Sequence, residues 1–197
     1  AKSLLLPRLS EFLYLHPGIG LELSSHDRPV DILHDGFDCV IRTGALPEDG
    51  VIARPLGKLT VVNCASPHYL TRFGYPQSPD DLTSHAIVRY TPHLGVHPLG
   101  FEVASVNGVQ WFKSGGMLTV NSRENYLAAG LAGLGIIQIP RIAVREALRA
   151  GRLIEVLPGY RAEPLSLSLV YPQRRELSRR VNLFMQWLAG VMKEYLD

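Results

Sequence analysis

The chain has 197 residues, 46% hydrophobic and 19% charged, a length that holds one sizeable core or two small lobes. Twenty Lys and Arg against 18 Asp and Glu leave a formal charge of +2, too weak a field to argue for nucleic acid as a direct partner. The apolar runs fall well short of the roughly 18–20 residues of a membrane span, and no basic, apolar, small-residue signal opens the chain, so a cytoplasmic protein is expected.

"SLLLPRLSEFLYLHP" sets Leu6, Leu9, Phe12 and Leu13 at helical spacing before Pro17, which predicts an amphipathic helix of about three turns. In "GIGLELSS", Ile19, Leu21 and Leu23 alternate as in a strand, and "HDRPVDILHDG" reads as a short helix with Asp27 as N-cap and Gly36 as stop. "FDCVIRTG" is a nearly continuous apolar strand, and the succession helix, strand, helix, strand predicts an α/β unit with parallel strands. "VIARPLGKL" and "TVVNCA" read as strands. A helix follows in "SPHYLTRFG", with Ser66 as N-cap, Pro67 at the first helical position and Gly74 as stop, and the same cap chemistry recurs in "SPDDL".

After the strand "HAIVRY", the segment "TPHLGVHPLG" reads as loop. "FEVASVNGVQW" carries Asn107-Gly108, the strongest short hairpin signal, so an antiparallel ribbon interrupts the alternation. "LTVNSRENYLAAGLAGLGIIQIP" reads as strand, helix, strand, with Asn121 as N-cap and Glu124 completing a capping box. "RIAVREALRAG" predicts a helix ending at Gly151, and "RLIEVLP" and "LSLSLVYP" predict strands. The closing stretch steps through Leu177, Val181, Phe184, Leu188, Val191 and Tyr195 and predicts an amphipathic helix.

Candidate chemistry is sparse. Gly130, Gly133 and Gly135 form G-x-x-G-x-G at the end of a helix, whereas a dinucleotide fingerprint runs from a strand into a helix, so they read as packing and exit devices. The helix start at Asn121, Ser122 and Asn125 can hold an anion on its dipole, with plain N-capping as the alternative. His93 and His97 are spaced i, i+4, but a loop with two prolines and two glycines cannot hold them on one face, and no metal or cofactor is expected. Cys39 and Cys64 sit mid-strand in apolar runs, which suits small buried hydrophobes better than a nucleophile or a disulfide. There is no G-x-S-x-G elbow, Asp80 and Asp81 sit in a capped turn, and catalysis finds no support. The arginines of "RRELSRR" (174–180) read as a solvated face, with an acidic partner as the alternative. Arg42, leaving a strand just before Thr43 and Gly44, is equipped to receive a carboxylate, with a salt bridge to a neighbouring loop as the alternative.

Several of these stretches, in this order and spacing, resemble the effector-sensing domain of LysR-type transcriptional regulators: "LPRLSEFLYLHPGIGLEL", "ILHDGFDCVIRTGALPEDGVIARPLG", "ASPHYLTRFGYPQSPDDLTSHAIV", "GLAGLGIIQIP" and "GRLIEVLP". The resemblance covers almost the whole chain. It implies an α/β, periplasmic-binding-protein-like (type II) fold of two Rossmann-like lobes joined by two crossover strands, with a ligand cleft between them. Lobe I would comprise residues 1–63 with 166–197, and lobe II residues 64–165, with the crossovers near Val61–Cys64 and Pro164–Ser168. The family's N-terminal winged helix-turn-helix, and the first strand of its sensing domain, find no counterpart in this sequence.

Carried over by position, the resemblance implies an effector site at Ser24, Ser25 and His26, at Arg42 and Thr43, and at Asn121 and Ser122, with Gln138 and Pro140 near the hinge-side wall. The stretch "TPHLGVHPLGFEVASVNGVQW" matches the family in type more than in letters. The expected partners are a small carboxylate-bearing effector and a second copy of the chain, with DNA reached only through the domain this sequence lacks. An extracytoplasmic solute-binding protein sharing the cleft is the alternative, and an enzyme of the same fold would need converging acid–base residues that the sequence does not offer.

Overall fold

Pro7 falls in the first turn of helix α1 (Leu6–Leu15), where a missing N–H costs nothing. The computed structural model describes residues 4–28, 30–44, 50–95, 100–116, 118–173 and 177–196. The chain divides into two units, Ala1–Leu59 with Leu165–Asp197, and Thr60–Pro164.

In the first unit α1 packs on α5 (Arg179–Lys193). Phe12, with no exposed surface, meets Phe184 edge-on at 5.3 Å between ring centroids and lies 5.2 Å from Trp187. Pairs of this kind add roughly 0.5–1.5 kcal/mol beyond the area they bury. Arg8 joins the helices at the rim, 2.9 Å from Glu194. The N-cap of α5 is Ser178, whose hydroxyl accepts the Val181 N–H at 3.4 Å. Of the predicted stripe, Leu188 and Val191 are buried beside Met185, Ala189 and Met192, while Val181 and Phe184 are half-buried.

The sheet of this unit has the order β1 (Val40–Thr43), β10 (Leu165–Pro172), β2 (Val51–Leu59), with both pairings antiparallel. This corrects the expectation of parallel strands. The centre is taken by a strand from the far end of the chain, whose core residues Leu167, Leu169 and Val170 are buried. Residues 19–25, expected as a strand, join no ladder among the described residues. Leu23 is 47% exposed, and alternation without a backbone partner does not make a strand. The expected helix after His26 is only a turn over 32–36, and its cap is Asp31 rather than Asp27: the Asp31 carboxylate accepts the N–H groups of Leu33 and His34 at 3.0 and 3.1 Å. Gly36, at φ +74°, ends that turn.

The second unit is built on β3 (Val61–Ala65), buried along its length and flanked by β8 (Ile137–Pro140) and β9 (Ile154–Glu155), both antiparallel to it. Parallel pairing appears between β4 (Arg89–Tyr90) and β7 (Thr119–Val120), and in single bridges from Ala86 to Gly115 and from Ile87 to Ile136. Helix α2 (Pro67–Phe73) has the predicted punctuation: Ser66 accepts the Tyr69 N–H at 3.2 Å, and Gly74 closes it at φ +82°. Residues Pro79–Ser84 form a 3-10 helix in which Asp81 accepts the N–H of Ser78 at 2.9 Å. The ribbon is β5 (Phe101–Ser105) with β6 (Gly108–Phe112). Ser105 pairs with Gly108, so Val106 and Asn107 make the turn one residue before the Asn-Gly signal. Helices α3 (Arg123–Leu131) and α4 (Arg141–Arg149) pack Tyr126, Ala129, Val144 and Ala147 on Val62, Cys64 and Ile137. No helix among the described residues is long and apolar enough to cross a membrane.

Candidate functional site

Arg42 stands in β1 opposite Ser168, is half-buried, and donates from Nη2 to the carbonyl of Val30. Among the described residues no carboxylate forms an ion pair with it. Val30 lines an open hollow of about 310 Å³ together with His26, Asp27, Arg28 and Asp35. The exposed Ser24 hydroxyl lies 2.6 Å from Nε2 of His26, and Ser25 beside it is exposed. Of these expected residues His26 lines the hollow, while Ser24 touches His26 and Arg42 touches Val30. The lining includes two carboxylates with one imidazole and one guanidinium, a mixed set that does not by itself select an anion. Nearby, the backbone N–H of His34, then its ring, hold the Asp31 carboxyl below its usual range. Thr43, half-buried, pairs with Leu167.

In the second unit Asn121 and Ser122 follow β7 directly, and Ser122, not Asn121, is the N-cap. Its φ and ψ are −123° and 132°, and its hydroxyl accepts the Asn125 N–H at 3.5 Å. The one-residue shift puts Glu124 at the second helical position instead of the third, so the expected capping box does not form there. Gln138 sits in β8 opposite Asn63. Its Nε2 donates to Asn63 Oδ1 at 2.9 Å and to the Glu102 carbonyl at 2.8 Å, while its Oε1 accepts the Glu102 N–H at 3.0 Å. Pro140 ends β8 opposite Val61 and caps α4 with extended backbone at ψ 127°.

Asn63 and Tyr126 belong to the same web. Asn63, with no exposed surface, donates to the carbonyls of Leu157 at 3.2 Å and Tyr160 at 2.9 Å, and the Tyr126 hydroxyl accepts the Gln138 N–H at 2.9 Å. An asparagine inside "VVNCA" was the available signal, because a polar side chain in a buried strand has to find partners. Glu155 is clamped between Arg141 at 2.8 Å and Arg161 at 2.6 Å, which ties the short β9 to the start of α4. Among the described residues no group of three His, Cys, Asp or Glu could hold a metal ion, and His97 lies outside them, as do Arg174 and Arg175. Cys39 is half-buried and Cys64 buried, both as free thiols.

The family model described as LysR substrate binding domain matches residues 1–193. The chain is 98% identical over 197 residues to the HTH-type transcriptional regulator YhjC of Escherichia coli (strain K12), covering all of this chain and 66% of that protein. It is 35% identical over 196 residues to an HTH-type transcriptional repressor of Pseudomonas aeruginosa (strain UCBPP-PA14), covering 98% of this chain and 61% of that protein. The chain therefore spans about two thirds or less of the length of these relatives. Among solved structures it resembles the regulatory domain of CrgA, a LysR-type transcriptional regulator from Neisseria meningitidis, with a TM-score of 0.83 and 25% identity over 98% of this chain and 92% of that one. The effector domain of the regulator AmpR of Pseudomonas aeruginosa shares the fold, with a TM-score of 0.78 at 24% identity over 98% of this chain and 90% of that one.

Proposed function

Because the chain belongs to the LysR substrate-binding domain family, with the periplasmic-binding-protein-like fold that goes with it, we propose that it is the ligand-sensing domain of a bacterial transcription regulator whose effector is a small carboxylate. The observation that carries the ligand class is Arg42: a half-buried guanidinium with no carboxylate partner among the described residues, hydrogen-bonded to the carbonyl of Val30, a residue that lines the hollow with His26. A guanidinium presents a fork of donors matched to a carboxylate, and among the described residues one hydrogen bond to a carbonyl engages only part of that fork. In this reading Arg42, Thr43, Ser24, Ser25 and His26 are the effector contacts proposed in the first unit, and those proposed in the second are Asn121 and Ser122. Gln138 and Pro140 act behind them, since the amide of Gln138 is spent on β5 and on Asn63.

The domain is non-enzymatic and intracellular in this reading. It assembles with a second copy and acts on DNA through the part of the protein that its relatives carry beyond the region matched here. An effector shifts such a regulator only by binding its arrangements unequally. The test is a thermal-shift screen of aromatic and aliphatic monocarboxylates on the wild-type chain, repeated with Arg42→Ala and Ser122→Ala. A carboxylate that raises Tm in the wild type and in neither variant supports the assignment. One that stabilises all three equally rejects these residues, and a panel that stabilises none rejects carboxylate sensing.

A further inference from the structure

Tyr69 on α2 is 1% exposed, and His85, at the C-terminal end of the 3-10 helix, is 5% exposed. The Tyr69 hydroxyl accepts the Ala86 N–H at 2.8 Å, lies 3.1 Å from Nδ1 of His85, and lies 3.4 Å from the Ala86 carbonyl. That carbonyl already accepts the Ile136 N–H at 2.9 Å, and residues 86 and 87 are the ones that bridge to Gly115 and Ile136. One hydroxyl therefore fastens α2 to the point where the chain turns into the parallel ladder. From there the ladder runs through β4 and β7 to Val120, next to Asn121 and Ser122.

The proton inventory at this hydroxyl is tight. Its oxygen accepts from Ala86, so its one proton goes to Nδ1 of His85 when that nitrogen is bare. An imidazolium carries a proton on both nitrogens, and Nδ1 becomes a donor. The tyrosine oxygen would then accept twice, and its own proton would be left with the Ala86 carbonyl, at the long edge of hydrogen-bond range and already engaged.

We propose that Tyr69 and His85 form an acid-operated latch in the second unit: neutral His85 keeps α2 fastened to the strand that begins at Ala86, and protonation of His85 unfastens it. The titratable groups facing the imidazole are Tyr69 from α2 and Asp81 from the same 3-10 helix. Asp81 attracts an imidazolium, but its Oδ2 is committed to the N–H groups of Gln77 at 2.8 Å and Ser78 at 2.9 Å. Neither β6, which packs on that helix, nor residues Ser114–Gly116, whose Gly115 lies against the His85 carbonyl, carries a titratable side chain. Burial outweighs the attraction of Asp81 and holds His85 below the usual imidazole range. The latch is therefore complete above the ordinary imidazole value of about 6.5 and is lost as pH falls through the lowered one.

The experiment is NMR on the whole chain from about pH 7.5 to about pH 5, reading the His85 imidazole shift and the exchange protection of the Ala86 amide. In the wild type His85 titrates below about 6.5, and protection of Ala86 falls about tenfold with it, the scale of one lost buried hydrogen bond. In His85→Asn, whose amide oxygen replaces the bare Nδ1 and does not titrate, protection stays level. In Tyr69→Phe it is low at every pH. An identical fall in wild type and His85→Asn overturns the latch, as does a His85 titration at or above the ordinary value. Should His85→Asn not fold, the wild-type titration together with Tyr69→Phe decides.

Discussion

The side chain of Gln138 pairs with the backbone of Glu102 as a strand residue would, accepting its N–H at 3.0 Å and donating to its carbonyl at 2.8 Å. The ribbon β5–β6 is thereby docked on β8 by one amide, and the same amide reaches Asn63 in β3. Every polar atom of the Gln138 side chain is used, which is the condition under which a buried polar network adds order instead of costing stability.

Gln138→Met, close in volume but without the amide, separates the hydrogen bonds from the packing. It strands the N–H and carbonyl of Glu102 and the Oδ1 of Asn63, so urea unfolding should show a loss of about 2–4 kcal/mol at unchanged m. A loss under about 0.5 kcal/mol would mean that water replaces the amide at no cost and that the ribbon is held by its apolar face alone.

Gly135, after the end of α3, and Gly190, within α5, differ in what surrounds them. Gly135 has φ +155°, and a Cβ there would meet the Ala86 carbonyl oxygen at 2.5 Å. Backbone cannot yield as a side chain can, so Gly135→Ala should cost more than about 2 kcal/mol. Gly190, on the exposed side of α5, has nothing within 4 Å of such a Cβ. Gly190→Ala should therefore stabilise by about 0.5–1 kcal/mol. Thermal unfolding of the two variants checks both signs, and a neutral Gly135→Ala would remove the close approach as the reason for that glycine.

What could be read ahead of the structure was local. Ser66, Gly74 and Gly151 punctuate helices through contacts within four residues, and such contacts are written in adjacent letters. Even so, the N-cap slipped from Asn121 to Ser122, because both can accept a hydrogen bond and only the backbone decides where helical dihedrals begin. Strand direction was not legible. The neighbour of β1 is β10, from the other end of the chain, and no periodicity within "FDCVIRTG" reports who lies beside it. The site divides the same way. Ser24 and His26 meet across two residues, whereas Gln138 finds Glu102 and Asn63 across 36 and 75. Gln138 was thus singled out from the family resemblance for a role at the effector while its bonding lay in distant segments.

The last prediction concerns alkaline pH and follows from Cys64. Its side chain has no exposed surface, and burial, with a smaller contribution from the charge of Glu155, pushes the thiol up to about 12. In the unfolded chain it returns to about 8.5, so the unfolded state gives up this proton first. A raised acid pKa favours the protonated form in the fold, and its stabilising contribution is whole below about pH 8.5 and declines as pH rises toward the folded value. Between about pH 8.5 and about pH 10 that decline amounts to about 2 kcal/mol for one fully buried thiol. Cys39, pushed up to about 11 by burial and then by Asp38, adds to it with the same sign. Cys64→Ala should begin less stable at pH 8, having lost packing in the core, yet fall less steeply by pH 10, because one of the two shifted thiols is gone. Urea unfolding of both proteins at the two pH values gives the comparison. If their stabilities fall by the same amount, the Cys64 thiol already ionises in the fold at its ordinary pKa, and the core around β3 is open to water.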